Sequence, residues 1–436
     1  MIFWNIPAFL RTIQSQRHMF PVICACSLGT ALVWYDFFLY AFFSATIFPR
    51  LFFPTLDPYS AIIAAFTTNF VGFVARPIGG AFFSIFGDRI GRKSTLVMTL
   101  LLIGFSSMLI GVLPDYQRIG LLAPIGLGLL RFLQGIGLGG EWSGSVLLSL
   151  EHGDEKHRAF WGSWAQVGVP IGLLLSTISA IVFRHLYPDE AFTAIGWRVP
   201  FLLSTILLTI GLYIRLRIPE TPPFVQLLAS KQIASSPLLE VIRRYWRPIL
   251  LCTLLRSGEN APFYIFTTFT FTYLGQTSSL SPEQIYFFLA IASLVALITI
   301  PLFALLSDHV GRRRWYALGS LLMGVFAFPY FLLLQSLNPW LIVTAFVLSL
   351  GLCIAWLYGP QAALIVSCFE TRLRYSGATL GYQLASLTAG GPTPILATSL
   401  IAGSQSTDST FFTSIALFIV IMSILSFLSA LLLRQA

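Results

Sequence analysis

Six charged residues sit inside long apolar stretches: Asp36, Arg76, Arg131, Glu141, Arg256 and Glu259. A charge at the centre of a bilayer costs at least about 2.5–3.5 kcal/mol on insertion scales, so each must face a partner or a wet cavity. From RFLQGIGLGGEW (131–142) onward, Arg131, Gln134, Leu138, Glu141, Trp142 and Ser145 fall within an arc of about 100° on a helix, while Gly126, Gly137, Gly140 and Gly144 cluster on another side. Asp36 is the ionisable group of WYDFFLY (34–40), with Gly29, Tyr40 and Phe43 on its face, and Arg76 in VARPIGG has Asn69 seven residues before it on its own side. A carboxylate can take and give a proton, and an arginine fork can grip a carboxylate in two places. The pattern therefore predicts Asp36 and Glu141 as proton-coupling groups with Arg131 as counter-charge. Arg76, with Tyr40, Asn69 and Gln134, would meet an anionic ligand. A buried structural ion pair between Asp36 and Arg131 is the alternative, compatible with the first reading because such a pair can break on protonation.

A second polar stripe holds Thr253, Arg256, Glu259 or Asn260, Phe263, Thr267 and Thr270, interrupted by Pro262. Arg256 and Glu259, three residues apart, either pair along the helix or serve a ligand. Tyr358, Gln361, Tyr382, Gln383 and Ser386 are the remaining ligand candidates, with GGPTP (390–394) breaking the helix after them.

Membrane helices must position these residues. The 436-residue chain is 56% hydrophobic and 10% charged, with mean hydropathy +0.82, whereas soluble domains carry about 25% charged residues. A soluble enzyme, a disordered chain and a disulfide scaffold are excluded. With about 20 residues needed per crossing, the apolar runs predict twelve spans, near 20–48, 58–86, 93–113, 118–149, 158–184 and 198–216, then 248–274, 283–306, 315–336, 339–368, 375–402 and 410–433. Barrel strands would be about ten residues long and alternating. The expected fold is all-α and integral to the membrane: twelve transmembrane helices in two pseudo-symmetric six-helix halves, 1–216 and 248–436, joined by a central loop at 217–247. The first apolar run follows Arg11 and Arg17 and is too long for a cleavable signal.

Charge placement orients the bundle. With both termini cytoplasmic, 19 of the 26 Lys and Arg residues fall on the inner side, among them Arg89, Arg92, Arg215, Lys231 and Arg434, and four on the outer side. This satisfies the positive-inside rule, so the net charge of +9 orients the chain and does not imply nucleic acid. The five cysteines lack redox or zinc spacing, and His18, His152, His157, His185 and His309 sit at or outside span ends, so neither metal nor cofactor is expected.

The halves repeat each other. GDRIGRK (87–93) recurs as SDHVGRR (307–313), and Glu151, Arg158 and Gly162 recur as Glu370, Arg374 and Gly377. Such parallel duplication suits an axis along the membrane normal. Gly91 and Gly311 permit tight turns, and Asp88 can accept hydrogen bonds from a neighbouring helix N-terminus or pair with a loop arginine. Asp88, Arg89, Gly91, Arg92, Asp308, Gly311 and Arg312 are expected to form gates.

GDRIGRK resembles the signature of the major facilitator superfamily, with Ser84 and Ala304 where its small glycine usually stands. WYDFFLY, FVGFVARPIGG, RFLQGIGLGGEWSGSVLLSLEH, GSWAQVGVPIGLLLS, WRVPFLLS and ETPPF, with SDHVGRRR, YGPQAA and FETRLRYSGATLGYQLA, resemble its metabolite:proton symporter family over nearly the whole chain. The resemblance implies the major facilitator fold, a plasma (inner) membrane location, and proton-coupled uptake of a small metabolite: a di- or tricarboxylate, a shikimate-like acid, or a zwitterion such as proline or betaine. Its partners would then be the metabolite, protons and membrane lipid. An exchanger or facilitator of the same fold is the alternative; Gly168, Pro170 and Gly172 only partly resemble the antiporter pattern, which favours symport. A membrane enzyme is disfavoured because no catalytic constellation is present. The short stretch after Arg434 is expected to carry no coiled-coil appendage.

Overall fold

The computed structural model describes residues 19–230, 237–403 and 409–433; Arg11, Arg17, His18, Lys231 and Arg434 lie outside them. Ten of the described helices are long and apolar enough to cross a membrane: α1 (Met19–Thr46), α2 (Pro58–Arg89), α3 (Arg92–Val112), α4 (Leu122–His152), α5 (Arg158–Leu186), α6 (Arg198–Arg217), α8 (Pro282–Val310), α9 (Arg312–Gln335), α10 (Pro339–Val366) and α12 (Ser409–Leu432). The two remaining spans are interrupted. α7 runs from Pro237–Tyr264 through a wide π-type turn, Ile265–Phe269, into Thr270–Thr277. α11 is built from Arg374–Ala385, a wide turn Ser386–Gly390, and Pro392–Gly403. α10 also holds a wide segment, Val347–Ile354.

Helix ends follow local chemistry. Asp57 accepts from the Ser60 amide 3.1 Å away to cap α2, Ser281 and Gln284 form a reciprocal cap on α8, and Asn338 accepts from the Trp340 amide at 2.9 Å to start α10. Gly91 and Gly311 stand at φ +124° and +103°, a conformation that favours glycine, and turn α2 into α3 and α8 into α9.

The connection expected as a loop over 217–247 is largely helical. Pro222–Ala229 forms a short helix and α7 starts at Pro237. Proline suits a first turn, and Val241 is buried while Arg243 and Arg244 are exposed, so this stretch has one packing face. It bends at Tyr245 (φ −118°, ψ 22°) before turning into the bundle.

Close backbone approach fixes α2 against α4. A Cβ on Gly79 would stand 2.0 Å from the Ile136 carbonyl oxygen, on Gly135 2.2 Å from that of Gly72, and on Gly139 2.2 Å from that of Arg76. Small residues permit such crossings where lipid gives helices no hydrophobic drive to associate. The two six-helix halves meet chiefly along α5 with α8 and α10, and α2 with α11. Ile125, Ile206, Ile298 and Val325 are exposed on the outer surface, as lipid-facing positions should be.

Candidate functional site

In the N-terminal half a chain of hydrogen bonds joins a carboxylate to an arginine. Asp36 is 4% exposed and accepts from Ser107 Oγ (2.6 Å) and from Ser204 Oγ. Gln134 Nε2 donates to Ser107 Oγ at 2.6 Å, and Gln134 Oε1 accepts from Arg131 Nη1 at 2.9 Å. Asn69 Oδ1 accepts from Arg131 Nη2 at 2.5 Å. The expected direct Asp36–Arg131 contact is absent, because Asp36 points between α3 and α6, the helices carrying its two serines. Arg131 instead lies over the rings of Phe37 (4.6 Å) and Tyr40 (4.3 Å), the latter fixed by a 2.6 Å bond between its hydroxyl and Thr68.

Arg76 faces the opposite half. Its guanidinium lies 4.2 Å from the Phe73 ring centre and 4.8 Å from that of Phe37, while Nε and Nη2 have no hydrogen-bond partner. Phe73 packs edge-on against Tyr264 of α7 at 5.2 Å, and the Tyr264 hydroxyl lies beside the Arg76 guanidinium. Unsatisfied donors are costly in a dry interior, so this spot is chemically primed for an acceptor.

Glu141 has a partner that the sequence reading placed elsewhere. Its Oε1 is 2.9 Å from Arg215 Nη2 and accepts from Thr30 (3.1 Å) and Ser145 (2.6 Å). Arg215, counted among inner-side loop charges, is 2% exposed; it also donates to the Leu96 carbonyl at 2.8 Å and fills the space beside Gly29.

In the C-terminal half, Arg256 Nη1 donates to the Tyr382 carbonyl (2.7 Å) and to Ser386 Oγ (2.6 Å), with Glu259 3.9 Å away. Gln361 Nε2 donates to Glu259 (3.2 Å) and to the Tyr316 hydroxyl (3.0 Å), and the Tyr358 and Tyr382 hydroxyls are 3.3 Å apart. Gln383 crosses to the other half, donating to the carbonyls of Leu138 (3.2 Å) and Gly139 (3.1 Å). Asn260 Oδ1 sits against Gly390 without a hydrogen bond.

Both ends of the bundle are closed. At the end bearing the repeated loops, Asp88 accepts from Ser376 N (3.1 Å) and Oγ (2.7 Å), and Asp308 accepts from the Ala159 and Phe160 amides (3.1 and 3.0 Å). Arg92 spans Asp88 (3.6 Å) and Glu151 (3.7 Å), Glu151 meets Arg374 at 3.4 Å, and Arg312 meets Asp308 at 2.7 Å. Arg89 is exposed beside them. Just outside, burial alone would raise the Asp154 carboxyl, but hydrogen bonds from Trp161, the His157 amide and the His157 ring hold it below the usual carboxylate value. At the far end, Arg184 meets Glu283 at 2.7 Å, and Phe42 packs on Phe271 and Tyr286.

The sequence that builds this layer of buried charge matches known proteins. The profile of the Major Facilitator Superfamily matches residues 26–392, with a second match over 263–435. The chain belongs to the major facilitator superfamily. It is 39% identical over 382 residues to the inner membrane metabolite transport protein YhjE of Escherichia coli, covering 86% of each chain. It is 38% identical to that organism's shikimate transporter (94% and 93% covered) and 32% identical to its proline/betaine transporter (90% and 80%). Among solved structures the D-xylose-proton symporter superposes with a TM-score of 0.70 at 16% identity, over 93% of this chain and 97% of its own, a likeness of fold. This member of the superfamily is a membrane transporter and not an enzyme.

Ser107, Ser204, Gln166 and Tyr264 join these networks without any signal in the sequence. A lone Ser or Gln on an apolar helix carries no distinctive spacing, and Tyr264 reads as one aromatic among many. Trp142 was visible in the α4 stripe without a role.

Proposed function

We propose that this transporter is a proton-coupled symporter taking up a small organic acid or zwitterion by alternating access. The observation that supports it best is the Asp36–Ser107–Gln134–Arg131 chain, which ties a buried carboxylate to a buried cation of the N-terminal half. With Asp36 ionised, Ser107 donates to it, Gln134 donates to Ser107, and the Gln134 carbonyl is left aimed at Arg131. Protonating Asp36 lets Ser107 turn to the Ile103 carbonyl, which it already reaches at 3.0 Å; Gln134 is then loosened, and Arg131 is released toward a substrate carboxylate beside Arg76. Losing the proton re-forms the chain and lowers the hold on substrate. Asp88 and Asp308 with their arginines act as the gate of the loop end, read as cytoplasmic from the distribution of basic residues. The names of the relatives support small metabolites as cargo and the inner membrane as location.

The test is uptake into proteoliposomes of labelled citrate, 2-oxoglutarate, shikimate, proline and betaine, with and without an inward proton gradient. Accumulation of one compound only with the gradient is expected. Equal exchange without it would leave a facilitator or exchanger of the same fold.

A further inference from the structure

Trp142 of α4 and Tyr382 of α11 are stacked across the boundary between the halves, ring centres 3.6 Å apart and planes 13° from parallel. The guanidinium carbon of Arg256 lies 3.4 Å from the same Tyr382 ring centre. Two groups that near one ring centre cannot share a face. Tyr382 is therefore a plate clamped between an indole from one half and a guanidinium from its own. Hydrogen bonds close the frame: Trp142 Nε1 donates to Gln166 Oε1 (2.8 Å), and Gln166 Nε2 donates to the Tyr358 carbonyl of the other half (3.3 Å). Arg256, 1% exposed, keeps its Nε without a hydrogen bond.

The clamp stands at the inner edge of the loop-end closure. Neighbouring positions on α4 carry the Gly140 carbonyl, which accepts from Tyr375, and the Ser143 hydroxyl, which accepts from Thr379 at 2.7 Å. When the halves part here, Trp142 leaves with α4, while Tyr382 and Arg256 stay together on the other side.

We propose that Trp142 is a positioning residue for Arg256: it holds the Tyr382 plate against the guanidinium while the loop end is closed, and lets it go when that end opens. This rests on the alternating-access reading. The two orientations of a carrier are separate states, and the contacts present in each set how that state holds substrate. A side chain supplied by the departing half makes Arg256 rigidly presented in one orientation and loose in the other, with no change in the residues that touch substrate from the C-terminal half.

The experiment needs no identified substrate. In proteoliposomes, modification of Arg256 by phenylglyoxal is followed by peptide mass spectrometry. Alkylation of Ser143→Cys by N-ethylmaleimide, read at its own peptide, reports how far the loop end opens. Trp142→Ala is expected to raise Arg256 modification roughly tenfold, beyond any rise at residue 143, as a plate released from one face should. Trp142→Phe, which keeps a stacking ring, is expected to stay close to the parent. Arg256 modification that is unchanged in Trp142→Ala, or that rises only in step with residue 143, overturns the proposal. Should Trp142→Ala not assemble, Trp142→Leu keeps apolar bulk, removes the stacking ring and must give the same excess. Uptake that proves independent of protons would sink the symport reading and leave this result standing.

Discussion

Asp88 and Asp308, equivalent residues of the two repeats, make the same bond in opposite directions. Each carboxylate receives hydrogen bonds at the first turn of a helix belonging to the other half, Asp88 at α11 and Asp308 at α5. A carboxylate at a helix N-terminus meets both free amides and the positive end of the helix dipole. The loop end is thus held by two charge-to-dipole contacts flanked by Arg92, Glu151 and Arg374.

Asp88→Asn and Asp308→Asn keep the shape and remove the charge. Hydrogen bonds to charged groups contribute about 1.5–3 kcal/mol, so each substitution is expected to shift the population toward an open loop end by roughly tenfold or more. Electron–electron distance measurements between spin labels at Lys156 and Arg314 should gain a longer component. Unchanged distance distributions in both variants would exclude a gating role.

Asp36→Asn retains contacts to Ser107 and Ser204 but has no proton to exchange. Counterflow of substrate should persist, while gradient-driven accumulation falls to background. Uphill uptake by Asp36→Asn would remove the coupling mechanism.

Glu141 and Arg215 form a buried pair at 2.9 Å. Removing one partner strands the other, at about 3–5 kcal/mol. Glu141→Gln and Arg215→Leu should each lower the melting temperature in detergent, and Glu141→Gln combined with Arg215→Met should recover most of the loss. Single variants as stable as the parent would show that the pair is not structural.

Gly79→Ala sets a methyl 2.0 Å from a backbone oxygen, whereas nothing lies within 4 Å of a Cβ on Gly128. Overpacking typically costs about 1–3 kcal/mol. Thermal unfolding should find Gly79→Ala destabilised and Gly128→Ala close to the parent; equal behaviour would refute the α2–α4 contact.

Asp154 titrates below its usual value because Trp161 and His157 donate to its carboxylate. A folded-state value lower than the unfolded one gives stability that is present above about pH 4 and lost as pH falls through the lower value. Partial exposure limits the effect to about 1 kcal/mol or less. Hydrogen exchange across residues 153–161 should be faster in Asp154→Asn at pH 7, with the difference from the parent shrinking toward pH 3.

Much of the fold was legible because lipid imposes a simple code: apolar length gives the spans, basic residues suggest the sides, and the repeated GDRIGRK and SDHVGRR loops show the duplication. α7 and α11 fall short of an unbroken apolar helix for a chemical reason, since the first carries Arg256, Glu259 and Asn260 and the second GGPTP. Which buried charges exist was also legible. Their partners were not. The periodicity of α4 shows that Arg131 and Glu141 face inward, but whether Asp36 meets Arg131, and whether Glu141 meets Arg215, depends on how α1, α4 and α6 are rotated against one another. Arg215 reads as a loop charge because Arg217 follows it at the helix end, and only its passage beside Gly29 takes it inside.

The wide turns of α7, α10 and α11 all belong to the C-terminal half. Each stores one residue more than an α-helical turn, and handing that residue along the helix would rotate the side chains beyond it by about 100°. The described N-terminal half has one such turn, Phe192–Gly196, at the start of α6 and away from the charged layer. The two repeats therefore differ in where their helices can slip: the C-terminal half holds three such joints in α7, α10 and α11, and the helices that carry Asp36, Arg76, Arg131 and Glu141 hold none among the described residues.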